Sequence, residues 1–137
     1  MPQLEVLILG GRPIREPIAW AGPVSNWLAA CDRILQLDVE VIVPGHGPLA
    51  DKSAVRELRA YFEYVYAQAR ERFAAGMTPL EAALDMAMDR YAQWGESERL
   101  VVNVDTIFRE LRGEAGGPDA LTAFGEMADL IRARRGG

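Results

Sequence analysis

Apolar residues recur along this chain with two different periods. Leu4 to Leu9 forms a short apolar run closed by Gly10 and Gly11, which predicts a strand followed by a turn. Pro13, Pro17 and Pro23 then deny regular backbone hydrogen bonding, so the stretch from Arg12 reads as a connector. Val24, Trp27, Leu28, Cys31, Ile34 and Leu35 are spaced by threes and fours, and this predicts a helix from Pro23 to Leu37. A second strand is expected at Val39 to Val43, a β-branched run ended by Pro44 and Gly45.

After Ala50 the period is helical throughout. Asp51 is placed to cap a helix of about 24 residues carrying Val55, Leu58, Phe62, Val65, Ala69 and Phe73 on one face and ending near Gly76. Thr78-Pro79-Leu80-Glu81 is a capping box with proline at the first helical position, and it predicts a helix from there to about Trp94, stopped by Gly95. Leu100, Val101, Val104, Ile107, Phe108 and Leu111 mark the next helix, stopped at Gly113. Beyond Gly116-Gly117-Pro118, the face Leu121, Phe124, Met127, Ala128 and Ile131 marks a last one. Met77, Met86, Met88 and Met127 sit in these patterns and read as core filling.

Composition narrows the function classes. The chain has 137 residues, enough for one core without disulfides or a structural metal. Fifteen basic and twenty acidic side chains leave a net charge of −5, which repels phosphate backbones and anionic lipid, so neither nucleic acid nor a membrane is an expected partner. Arg132, Arg134 and Arg135 lie on the last turn of the last helix, where cations complement the macrodipole. With one cysteine, Cys31, no internal disulfide can form, and a reducing, cytoplasmic compartment is expected. Cys31 falls on the apolar helix face, which points to core filling rather than a nucleophile.

The segment with chemistry is Pro44-Gly45-His46-Gly47-Pro48, directly after the second predicted strand. Its glycines allow positive φ and leave the imidazole of His46 approachable, and neutral imidazole is a common zinc ligand. A tight turn bearing a surface histidine accounts for the same residues. His46 is the sole histidine, and no Cys-x-x-Cys occurs, so any further metal ligand must be a carboxylate or come from another chain.

The run Trp20 to Trp27, then Asp32-Arg33-Ile34-Leu35, then Val41 to Pro48, resembles metallo-β-lactamase-fold metallohydrolases in order and spacing. The likeness continues through Gly76 to Pro79 and Glu98 to Val101 as far as Gly113, like the helical tail of one branch of that superfamily. The resemblance implies an α/β fold: residues 1–75 as the C-terminal half of an αββα sandwich and 76–137 as a mostly helical extension packed on it. It makes His46 the last of the family's metal ligands, with zinc as cofactor. The family's His-x-His-x-Asp-His cluster has no match in this chain. For the family's bridging aspartate, a register anchored on Gly10-Gly11 places Glu5, while one anchored on Pro17 to Trp20 places Leu9, which cannot bind metal.

Two functions are then expected as alternatives. In the first, the chain is part of a zinc hydrolase acting on an ester, amide or thioester through metal-bound hydroxide, with an incomplete site when alone. In the second, it is a non-catalytic remnant that covers its apolar faces by forming a homodimer.

Overall fold

The computed structural model describes residues 6–8, 23–38, 41–43, 51–91, 94, 97–114 and 118–136. These residues are overwhelmingly helical, and the α/β half-sandwich implied by the resemblance is corrected accordingly. Among the described residues there are five α-helices: α1 Val24–Gln36, α2 Lys52–Ala74, α3 Pro79–Asp85, α4 Leu100–Leu111 and α5 Ala120–Gly136. Among the described residues extended backbone is limited to two three-residue segments, Val6–Ile8 (β1) and Val41–Val43 (β2), paired in parallel with Val6 opposite Val41. A single ladder of that length is no layer for a sandwich, because it offers too little surface for another layer to pack on. The apolar residues of the described chain are buried by helices packing on helices.

α2 spans 23 residues and starts where the sequence predicts, with the Asp51 side chain accepting from the Ala54 N–H at 3.1 Å. It ends at Gly76, whose φ of 81° is left-handed, and the Met77 N–H reaches back to the Arg72 carbonyl at 3.1 Å. α4 ends in the same way at Gly113, with a φ of 79°. A Cβ at either glycine would meet nothing within 4 Å, so the backbone angle alone demands glycine.

α3 starts on the expected capping box, with Thr78 and Glu81 bonded reciprocally, but it stops at Asp85 instead of continuing to Trp94. The cause is long-range. Arg72 of α2 donates to the Asp85 carbonyl at 3.2 Å and to its carboxylate at 3.0 Å, and the Tyr64 hydroxyl donates to the Ala87 carbonyl. Carbonyls claimed from outside do not need the next helical turn. The chain instead bends into a single tight turn, Asp89–Tyr91, which lays Tyr91 edge-on against Tyr61 and brings Trp94 to stack on the same ring.

α4 is the central element, packed against α1, α2, α3 and α5. Every residue from Leu100 to Phe108 is buried, polar ones included. One core joins all five helices, with Val24 from α1, Phe62 and Val65 from α2, Ala82 and Ala83 from α3, Ile107 and Phe108 from α4, and Ala123 and Leu130 from α5. A smaller cluster of Cys31 and Val55 ties α1 to the start of α2. No helix among the described residues is long and apolar enough to cross a membrane.

The buried side of α5 is also corrected. Of the residues that mark this helix in the sequence, Met127 packs on the core and Ala128 and Ile131 are half buried, while Leu121 is 85% and Phe124 62% exposed and the fully buried positions are Ala123 and Leu130. Small Ala123 lets the helix approach its neighbours closely, and the polar contact of Glu126 with α4 fixes its rotation.

Candidate functional site

His46 and Glu5, the candidate metal ligands, lie outside the described residues, as does the rest of the Gly-His-Gly segment. The flanks of that segment are described. β2 ends at Val43 immediately before it, and Asp51 opens α2 immediately after it. Among the described residues no group of three or more His, Cys, Asp or Glu side chains could hold a metal ion. Cys31 is buried, and desolvation, aided by the neighbouring Asp32 charge, pushes its thiol pKa up. A raised thiol pKa means little thiolate, so Cys31 acts as core packing.

The polar chemistry that the described chain does assemble lies along α4. Asn103 is fully buried and donates from Nδ2 to the Tyr61 hydroxyl at 3.0 Å. Burial drives the Tyr61 hydroxyl pKa upward, so that phenol stays neutral and accepts. Tyr91 is packed beside it, and its own buried hydroxyl has no hydrogen-bond partner among the described residues. Two turns of α4 further on, Arg109 donates to Asp105 at 3.1 Å, and Asp105 in turn hydrogen-bonds Glu126 of α5. Burial, followed by this contact and the charge of Asp105, pushes the Glu126 pKa well above the usual carboxylate range. The Glu126 carboxyl is therefore held in its protonated, neutral form where α5 meets α4.

Glu110, near the C-terminal end of α4, performs a third task. α1 begins after Pro23 and has no side-chain cap of its own. The Glu110 carboxylate accepts from the Val24 N–H at 2.9 Å and from the Ser25 hydroxyl, so a residue 86 positions away caps the helix. Arg59 of α2 adds a second tie to α1 by donating to Asp32 at 2.5 Å.

Between α1 and α2 runs an open cavity of about 530 Å³, floored by Leu28, Ala67 and Ala74 and edged by Glu63, Tyr66 and Arg70. It has no paired nucleophile and base, and its wall is chiefly apolar. Sequence reasoning identified none of these three polar arrangements, since each joins residues far apart in the chain. The one available signal was Asn103 and Asp105 interrupting the apolar run of α4. No protein-family model, curated protein or solved structure matches the chain.

Proposed function

We propose that this chain is the helical C-terminal part of a zinc-dependent hydrolase of the metallo-β-lactamase type, acting on an ester, amide or thioester, to which it supplies His46 as one ligand. The observation that carries the reading is the framing of Pro44 to Ala50. That segment leaves β2 at its C-terminal end and enters α2 at a capped N-terminus, and Val55 in the first turn of α2 is packed against Cys31 of α1. Both attachment points are thus held, as a ligand loop requires, since metal affinity depends on ligands fixed in place. The remaining ligands belong to residues outside the described part, with Glu5 the carboxylate candidate within this chain. Zinc, once bound, would supply hydroxide at neutral pH. The single cysteine supports a cytoplasmic setting.

The test is complementation. The chain is expressed joined to a metallo-β-lactamase-type segment carrying His-x-His-x-Asp-His, and bound zinc, iron and manganese are measured together with thioester and ester hydrolysis. The reading expects metal and turnover in the joined protein, with both reduced at least about tenfold by His46→Ala while the helical circular dichroism is unchanged. Metal content and turnover indifferent to His46→Ala would refute it.

A further inference from the structure

We propose that α5 is a releasable helix, latched to α4 by the contact of Glu126 with Asp105, and that it leaves the bundle as one unit, with α1 to α4 still folded, when both carboxyl groups carry charge. The latch lies at the helix contact. Asp105 is 4% exposed and accepts from Arg109 at 3.1 Å. It also meets the Glu126 carboxyl, whose Oε2 is buried and receives no hydrogen bond from an N–H or hydroxyl group among the described residues. A buried carboxyl oxygen without a donor is costly as an anion, and is satisfied as an acid that gives its own proton to a neighbour.

The rest of α5 is held lightly. It buries only Ala123 and Leu130 fully, Met127 packs against the core, and Arg134 donates to Ser97 at 3.1 Å. α4 also packs on α1, α2 and α3, and the core residues Val24, Phe62, Val65, Ala82, Val101 and Phe108 all come from those four helices. Lifting α5 therefore opens one side of α4 and leaves the other helices joined. Gly113 ends α4 at a φ of 79°, so the release breaks no continuous helix.

The charges acting on Glu126 are Asp105 and Arg109 of α4 and Asp129 of α5, and of these Arg109 alone favours ionisation. α5 also packs on α3 and on the turn Ser97–Arg99. There Glu81 is engaged with Thr78, Asp85 is paired with Arg72, and Glu98 and Arg99 are the remaining charges. Burial, then Asp105, lift Glu126 from 4.5 to about 9, so docked α5 keeps a proton that released α5 gives up. The hold is complete below 4.5, weakens through neutral pH and is lost as pH passes about 9. One proton per closure raises the open population by up to about tenfold per pH unit within that window. The latch is independent of any metal at His46.

Hydrogen exchange read by mass spectrometry on peptides of α2, α4 and α5, corrected for the chemical rate and run from about pH 6 to about pH 8, tests it. The opening constant of α5 is expected to rise about tenfold over that range while those of α2 and α4 stay level. In Glu126→Gln, which cannot ionise, that rise is expected to vanish, whether α5 stays docked or stands open throughout with α2 and α4 protected. Four results overturn the proposal: α5 opening in step with α2 and α4 at every pH, an α5 that opens equally at every pH, a rise that survives Glu126→Gln, or a Glu126→Gln chain in which all helices lose protection together.

Discussion

α4 and α5 follow one another in the chain and pack against each other, yet they meet their surroundings in opposite ways. α4 is buried on all sides from Leu100 to Phe108, including Asn103, Asp105 and Thr106, whereas α5 buries only Ala123 and Leu130 fully and exposes Leu121 and Phe124. The two patterns show that apolar periodicity locates a helix without stating which side of it the core will take. In α4 every side is taken, so polar residues must find partners inside. In α5 a small residue and one carboxyl group lie at the contact, and Leu121 and Phe124 are exposed.

The sharpest break of this contrast is Phe108→Ala. Phe108 is 1% exposed and packs edge-on against Phe73 with ring centroids 5.2 Å apart. The truncation leaves a cavity at the centre of the helix cluster and should cost about 3–5 kcal/mol in denaturant unfolding. A loss below about 1 kcal/mol would mean that α4 is not the central element.

Next in size is Asn103→Ala. It strands the buried Tyr61 hydroxyl, and the expected loss is about 2 kcal/mol, the cost of an unsatisfied buried polar group with a small cavity added. Tyr61→Phe combined with Asn103→Leu should recover part of it, because removing both partners together leaves nothing unsatisfied. If the double variant is no better than the sum of its parts, the hydrogen bond is not what holds Asn103 in place.

Much of the helical layout was legible in the sequence, and the reasons are local. Asp51, the Thr78 to Glu81 box, Gly76 and Gly113 act through bonds within a few residues, so their chemistry is written beside them. What stayed hidden was tertiary. Nothing near Asp85 announces that Arg72 will claim its carbonyl and end α3, and nothing near Pro23 announces Glu110 as the cap of α1. The α/β expectation came from the resemblance and from two short strand-like runs, of which residues 6–8 and 41–43 are described as extended, while the core of the described residues formed between helices. The sequence also could not indicate which side of α5 would dock. Cys31 was legible because its apolar neighbours at helical spacing foretold burial. His46 and Glu5 lie outside the described residues, so the fold makes no statement about them.

Glu110→Ala probes how far α4 organises its neighbours. The first N–H groups of α1 lose their acceptor, and a fall of about 1 kcal/mol is expected, the usual worth of a cap. Hydrogen exchange should quicken at Val24 and Ser25 more than in α2 or α4. A uniform change across the helices would show that Glu110 acts on overall stability and not on α1.

A pH titration tests the bond between α4 and α5. The Glu126 carboxyl has its pKa raised in the folded chain, first by burial and then by Asp105, above an ordinary value of 4.5. The folded state therefore binds the proton more tightly than the unfolded chain does. That contribution is complete below the unfolded value and is lost as pH rises through the folded one. Asp105, Arg109 and Asp129 are the charges that act on it, and only Arg109 opposes the shift. A drop of about 3 °C in melting temperature is expected between mildly acidic and alkaline pH, screened because Glu126 is only partly buried. Glu126→Gln, which cannot ionise, should flatten that slope, and an unchanged slope would place the titrating group elsewhere.

The smallest effect belongs to the outward side of α5, and its smallness is the point. In dilute protein, where copies do not meet, Phe124→Ser should change stability by less than about 0.5 kcal/mol, although it deletes an aromatic ring. Elsewhere in this chain an aromatic truncation would be severe. Phe62 and Phe108 are 0% and 1% exposed, while Phe124 is 62% exposed and leaves little apolar area to return to water on unfolding. Leu130→Ser, six residues on and facing α4, supplies the control, because it removes a fully buried side chain from the joint core and should cost several times as much. If Phe124→Ser and Leu130→Ser proved equally damaging in dilute protein, α5 would be buried on both sides. The division between a docked side and an exposed one would then be lost.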